Sequence, residues 1–335
     1  MQEFVMMIGL PGSGKDYFIE HDDSLKNHVI VSTDQIRKDN GYKQGAREDV
    51  FQIAHDMIID SLSLGKNVVF NATNIQRKFR MNLLTELRAK FPNVFYEADV
   101  IIVPIKLCKE RNSYRDEFGC VPEKVIDNMV RSFQIPLEKE GFDGIYYFYP
   151  NKEAYCTIKA GSFWIKKEYA SVNFDILDSF NQDNPFHTMT LGQHMQNTYK
   201  YVVKHYNPSM SENNFLECKP LFEAAKYHDI GKLITKDYHD RKGRPTETAH
   251  YYGHENAGAY LILSEFPFLS SYNKETYMIE ETFVKMATYV NFHMRVSFTW
   301  RQYPNGKCAK REKKLFNAYQ LYCLELLGEA DRQAH

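Results

Sequence analysis

The stretch Gly9-Leu10-Pro11-Gly12-Ser13-Gly14-Lys15-Asp16, "GLPGSGKD", decides the reading of the fold. It has the spacing of G-x-x-x-x-G-K-[ST], a loop whose backbone N–H groups wrap phosphates and whose lysine reaches the β- and γ-phosphates. That pattern ends in a hydroxyl that ligates Mg²⁺. Here Asp16 stands in its place. The neighbouring residues give the octet its weight. Glu3–Ile8 is a short apolar run that predicts a buried strand, and helix-forming residues follow the loop. Gly9, Gly12, Ser13, Gly14, Lys15 and Asp16 are therefore the candidate nucleotide-binding residues.

Working outward, three more short β-rich runs occur at Val29–Val31, Asn67–Phe70 and Ala98–Val103. Helical patterns lie between or after them at Glu48–Leu64, Arg77–Lys90 and Cys108–Tyr114. Short apolar strands alternating with helices predict a parallel sheet covered by helices on both faces. Ligands of such sheets bind at the carboxyl ends of the strands. The chain has 335 residues, enough for two domains of about 150 residues each. Its net charge of −1 gives no global basic field, so any polyanion must be held by local patches. No apolar run approaches the roughly 20 residues that span a bilayer. The N-terminal MQEFVMMIGLPG lacks the basic start of a signal peptide. The six cysteines form no C-x-x-C pair, so a cytoplasmic location is expected and a disulfide framework or zinc knuckle is not.

Further residues point to phosphoryl transfer. "STDQIRKD" places Asp34 and Arg37 just past the second strand. Asp34 is placed to take a proton from an attacking hydroxyl, and Arg37 to clamp a phosphate. "ERNSYRDEFG" carries Arg111 and Arg115 four apart, on one face if helical. Any one of these arginines alone reads as part of a solvated helix face.

The run GLPGSGK, STDQIR, ATN with arginines downstream, ERN…R, VP and IPLEKEGFD resembles the kinase domain of phage-type polynucleotide 5′-kinases, over roughly residues 1–145. The resemblance implies ATP with Mg²⁺ and transfer of the γ-phosphate to a 5′-hydroxyl of RNA or DNA. It also implies Asp34 as general base, Arg37 on the acceptor's phosphate, and Arg111 and Arg115 in a lid over the ATP phosphates. Two positions depart from that family: Asp16 stands where Ser or Thr is usual, and Asn71 where the strand usually ends in Asp. An exchange of the carboxylate between loop and strand is expected, with the metal's charge still balanced. A negative side chain is also favoured in a first helical turn.

Tyr146–Phe186 is rich in aromatic, β-branched and polar residues without a helical period, with turn signals at Pro150-Asn151 and Ala160-Gly161-Ser162, and predicts a strand-rich connector or hairpin, placed at 150–186. From His187 the pattern becomes helical: Thr190–His205, Pro220–Tyr227, His254–Ser264, Glu275–Met294 and Lys313–Arg332. His194, His228-Asp229, His254, His293 and Asp331 lie on these segments. Imidazole and carboxylate suit several divalent metals, Zn²⁺, Mn²⁺, Ni²⁺ and Fe among them.

Residues 187–335 resemble the HD-domain phosphohydrolases through "TLGQH", "KYHDIGK", "YYGHENAGA", "VNFH" and "GEAD". The resemblance implies one metal on His194, His228, Asp229 and Asp331. A second is implied on His254 and His293 with Asp229 bridging, and Lys232 is implied to neutralise a substrate phosphate. Lys236–Arg244 reads as a polar loop with four basic residues.

The expected organisation is thus an α/β P-loop kinase domain (1–149), a connector (150–186) and an all-α HD domain (187–335). Together the resemblances imply an RNA (or DNA) end-healing enzyme that prepares ends for a nucleic-acid ligase, with no membrane. A nucleoside or nucleotide kinase fused to a nucleotidase, and a nucleotide-sensing regulator of the HD half, fit the same motifs.

Overall fold

The computed structural model describes residues 1–335 except 43–48, 150–154, 159–161, 166–169, 171–172, 186–187, 211–213, 266–268, 272–276 and 335. The turn signals at Pro150-Asn151 and Ala160-Gly161 fall outside the described residues. The chain forms two compact units. The first comprises Met1–Val130, Pro136–Tyr169 and Phe268–Ile279, and the second Arg131–Ile135, Ala170–Pro267 and Glu280–His335. The boundaries expected at 149 and 187 follow the linear order of the chain, whereas each unit takes one segment from the other half.

The first unit is built on a seven-stranded sheet. The middle of its five parallel strands is β1 (Glu3–Ile8), in which five of six residues are buried. β1 pairs in parallel with β3 (Val68–Asn71) and β4 (Phe95–Ile101), with Val5 opposite Val69 and Glu97. β2 (Val29–Ser32) extends the sheet beyond β3, and β5 (Gly144–Tyr149) extends it beyond β4, both in parallel. This row is continuous with a core of Val5, Met7, Phe18, Leu25, Val69, Ile101 and Phe148. The helices of this unit are α1 (Lys15–His21), α2 (Thr33–Asn40), α3 (Val50–Ser63), α4 (Arg77–Lys90), α5 (Ile105–Ser113) and α6 (Glu123–Arg131). Ser32 caps α2, its Oγ accepting from Gln35 N at 3.3 Å.

The expected wholly parallel sheet is corrected to a mixed one. An antiparallel hairpin β6 (Tyr155–Ile158) and β7 (Ser162–Ile165) stands apart from the main sheet. In the second unit α7 (Leu191–His205) starts at a capping box between Thr190 and Gln193. It is followed by α8 (Asn214–Tyr227), α9 (Lys232–Thr235), the strands β8 (Asp237–His239) and β9 (Pro245–His250), and α10 (His254–Glu265). The strands β10 (Leu269–Ser271) and β11 (Tyr277–Ile279) come next in the chain and join the first unit's sheet, β11 running antiparallel to β5. The helix expected from Glu275 therefore begins only at Glu281, because Tyr277-Met278-Ile279 is β-forming and Glu280 is extended.

The second unit ends with α11 (Glu281–Met294), a π-helical turn at Arg295–Trp300, α12 (Lys307–Lys313) and α13 (Ala318–Gln333). Its core is made where α11 packs on α8, α10 and α13, and α7 on α8 and α13. The expected all-α second half is also corrected. The stretch read as a polar loop holds β8 and the turn that leads into antiparallel β9, a strand that alternates exposed and half-buried residues before turning inward at Ala249.

Candidate active site and candidate metal centre

In the first unit the glycine loop leaves the carboxyl end of β1, and Gly9 N donates to Thr73 O at 3.0 Å. Gly12 and Gly14 sit at φ 76° and 97°, conformations that side chains with a Cβ rarely adopt. At Gly12 a Cβ would also come 2.3 Å from Cys108 O, so the loop closes on α5 only with glycine there. Lys15 Nζ folds back on the loop and donates to Gly9 O (3.1 Å) and Leu10 O (3.0 Å). Its burial lowers its pKa, against the pull of neighbouring Asp16.

A cavity of about 420 Å³ lies over this loop, walled by Gly12, Gly14, Lys15, Asp16, Arg37 and Arg111 among others. Gly9 and Ser13 do not line it. Ser13 is fully buried, and its Oγ has no hydrogen-bond partner among the described residues.

Asp34 stands in the first turn of α2 and is gripped from both sides. Arg37 Nη1 donates to its Oδ1 at 2.9 Å, and Arg115 Nη2 to its Oδ2 at 2.5 Å. Arg115 also donates to Gly119 O at 2.6 Å. Arg111 and Arg115 were expected on one helix face, but α5 ends at Ser113 and Arg115 lies past its end. They still converge, since both line the 420 Å³ cavity. A second cavity of about 580 Å³ shares Asp16, Asp34, Asn71 and Arg115 with the first and adds Ile19, Ile30 and Phe118. Two carboxylates, Asp16 and Asp34, are thus common to both chambers. Asn71, the last residue of β3, donates through Nδ2 to Asp16 Oδ1 at 2.6 Å.

Sequence reasoning did not foresee the role of Glu140. Its carboxylate, 4% exposed, accepts from Arg80 Nε (2.8 Å), Arg80 Nη2 (2.9 Å) and Arg77 Nε (2.8 Å). The arginines downstream of "ATN" therefore tie α4 to the IPLEKEG segment and do not line either cavity. The signal was the acidic EKE run beside two arginines on one helical turn.

The second unit brings all six sequence-predicted ligand residues together. His194, His228, Asp229 and Asp331 place one ligand atom each within 4.8 Å of one another, and so do Asp229, His254 and His293. In the first group His194 Nε2 lies 3.1 Å from Asp331 Oδ1, 3.2 Å from His228 Nε2 and 3.4 Å from Asp229 Oδ2. In the second, His254 Nε2 lies 3.0 Å from Asp229 Oδ1 and 3.3 Å from His293 Nε2. Asp229 offers one oxygen to each group.

Three of the rings are fixed by local backbone carbonyls. Nδ1 of His228, His254 and His293 faces the carbonyl oxygen three residues earlier, at 3.1, 2.8 and 2.7 Å. A carbonyl only accepts, so each Nδ1 carries a proton, and in the neutral ring each Nε2 presents a lone pair. His254 and His293 then point lone pairs at each other and at a carboxylate oxygen, all buried. With both rings neutral nothing in that set donates, so the donor chemistry fits a cation and is unfavourable without one.

Charge in the centre is strongly coupled. His194 loses by burial but gains more from Asp229 and Asp331, which push its pKa up to about 9. Burial opposes ionisation of Asp229, yet Lys232 and the histidines hold it well below the carboxylate range. Lys232 Nζ donates to Asp229 Oδ2 (2.6 Å) and Gln182 Oε1 (2.8 Å) and is itself buried. The lysine expected to meet a substrate phosphate thus sits on the bridging carboxylate. Ser297, from the π-helical turn, donates to Asp331 Oδ2 at 3.0 Å. Gln182 and Ser297 had no sequence signal, because each meets its partner only through the tertiary fold.

Comparison with known proteins bears on the first unit. Residues 4–136 match the family model described as AAA domain, and the N-terminal region has a P-loop kinase-like fold. No curated protein matches the chain in sequence. Among solved structures, the Pnkp1/Rnl/Hen1 RNA repair complex has a chain 23% identical, with a TM-score of 0.33, covering 42% of this chain and 46% of that one. This chain therefore spans about half the length of that relative. A gluconokinase from Sinorhizobium meliloti 1021 is 15% identical, with a TM-score of 0.31, covering 43% of this chain and 82% of the other. Shikimate kinase from Acinetobacter baumannii is 18% identical, with a TM-score of 0.30 and coverages of 43% and 83%. Likenesses of this size establish nothing about substrate. No helix among the described residues is long and apolar enough to cross a membrane.

Proposed function

We propose that the chain is a bifunctional nucleic-acid end-healing enzyme. The first unit phosphorylates 5′-hydroxyl ends with ATP and Mg²⁺, and the second is an HD-type phosphohydrolase that removes a 3′-phosphate or 2′,3′-cyclic phosphate. The observation that carries the kinase reading is Asp34, held between Arg37 and Arg115 where two cavities meet beside Lys15. Phosphates entering the cleft compete with Asp34 for both guanidiniums, and an Asp34 oxygen so released can accept the proton of an attacking hydroxyl. Lys15 and Arg111 wall the donor cavity, where negative charge is to be stabilised.

In the second unit, His194, His228, Asp229 and Asp331 would hold one divalent ion, and Asp229, His254 and His293 another. Ions held there supply Lewis acidity toward a phosphate ester. The chain's own contribution is orientation: backbone carbonyls fix three of the rings, Ser297 fixes Asp331, and Lys232 fixes Asp229. The choice of RNA rests on the motif resemblance and on the pairing of the two chemistries, since a ligase needs both a 5′-phosphate and a 3′-hydroxyl.

The net charge of −1 favours a second reading, a kinase and nucleotidase for small nucleosides and nucleotides. Transfer of labelled γ-phosphate from ATP to a short RNA with hydroxyls at both ends tests the choice, because that RNA offers the phosphohydrolase nothing to remove. Labelled RNA supports end healing. Labelling of free nucleosides alone selects the second reading.

A further inference from the structure

The phosphate-loop pattern pairs a hydroxyl after the lysine with a carboxylate at the end of a neighbouring strand, both beside Mg²⁺. Asp16 and Asn71 occupy those two places, and they touch. Asn71 closes β3, is 6% exposed, and donates through Nδ2 to Asp16 Oδ1 at 2.6 Å. Both residues line both cavities of the first unit. Among the described residues no group pairs with Asp16 Oδ2.

Two properties of the ordinary pair survive the exchange. One negative charge remains, now on the loop. One donor still points at that carboxylate, an amide N–H in place of a hydroxyl O–H. The chemistry has been kept and the bearers traded.

We infer that Asp16 is the chain's carboxylate ligand for the divalent ion that accompanies the nucleotide, and that Asn71 is a positioning residue that aims it. The inference rests on the reading of this cleft as a nucleotide site. A carboxylate oxygen suits Mg²⁺ and Mn²⁺, and an orienting partner of a ligand sets metal affinity nearly as strongly as the ligand does. The single substitutions then each spoil the pair. Asp16→Ser leaves a hydroxyl facing an amide with no carboxylate. Asn71→Asp sets two carboxylates at hydrogen-bonding distance, so that they repel or trap a proton. Asp16→Ser with Asn71→Asp rebuilds the ordinary arrangement.

The test is Mn²⁺ binding followed by electron paramagnetic resonance on the full chain, with and without the non-hydrolysable β,γ-imido analogue of ATP. The histidine-rich centre also takes Mn²⁺, so the quantity read is the increment that the analogue adds. Binding of the analogue in EDTA checks that each variant is folded around its loop. The expected result is an Mn²⁺ affinity about 10–100-fold weaker in Asp16→Ser, with binding of the metal-free analogue unchanged and most of the loss recovered in the double variant. An undiminished increment in Asp16→Ser overturns the inference, as does a double variant as weak as the two losses added. Failure of the unsubstituted protein to bind the analogue at all overturns the nucleotide-site reading and the inference with it.

Discussion

Asp34 shows what a single residue does here, because both of its carboxylate oxygens are committed to arginines. Asp34→Asn keeps the shape but cannot take a proton. Its γ-phosphate transfer is expected to fall by about 10²–10⁴-fold, with ATP affinity little changed, measured by single-turnover transfer beside equilibrium binding. At the metal centre the two ligand groups share only Asp229. Metal analysis of the purified protein is therefore expected to show one ion lost in His194→Ala, the other lost in His293→Ala, and both lost in Asp229→Ala. Equal stoichiometry in all three would contradict the shared bridge. Lys15, Asp34 and the six candidate ligands could be singled out because each sits in a short motif, and the fold brings the six together. Arg111 and Arg115 were legible as a set but not in geometry, since nothing in "ERNSYRD" says that α5 stops at Ser113.

Elements are held by groups that sequence periodicity ranks poorly. Glu140 and Arg80 are both essentially buried and meet through two parallel hydrogen bonds, joining α4 to the segment before β5. Removing one member of such a pair strands the other charge, so Glu140→Gln is expected to cost about 3–5 kcal/mol in denaturant unfolding. The central strand β4 carries Glu97 and Asp99 on the same face. Burial first, and then the neighbouring Glu97, raise the Asp99 pKa well above its ordinary value. A carboxyl with a raised folded pKa contributes stability below its unfolded pKa and loses it as pH rises toward the folded one. Asp99→Asn removes that loss. The variant is expected to melt higher than the parent above about pH 4, with the gap closing below it, in melting curves run across pH. Apolar runs marked β1, β3 and β4 well because those strands are largely buried, and the β-rich run at Val29–Val31 marked β2 although Ile30 is exposed. They missed β11, whose three residues are too short for a period, and merged β5 into an aromatic stretch with the connector.

On the scale of the whole molecule, the order of a kinase-like part and a histidine-rich helical part was legible and the partition of the chain was not. Motif order gave a kinase-like part followed by a histidine-rich helical part. The compact units instead exchange segments: Arg131–Ile135 belongs to the second and Phe268–Ile279 to the first. Both exchanges rest on pairing over long sequence distance, which no local pattern encodes. Asn291 donates to Phe133 O at 3.1 Å, and Asn256 to Arg131 O at 2.8 Å. β11 sets Met278 opposite Phe148 on β5. A fragment cut at the expected domain boundary, residues 1–186, therefore keeps the phosphate loop but loses the two strands that cover β5. The bared edge of Gly144–Tyr149 is aromatic, uncharged and free of proline, the composition that pairs edge to edge with other chains. The fragment is expected to self-associate in light scattering where the full chain does not, and charged substitutions on the β5 edge are expected to relieve it. A monomeric, soluble fragment with the parent's nucleotide affinity would mean that β10 and β11 add little to the sheet, and that the linear boundary describes the chain better than the compact units do.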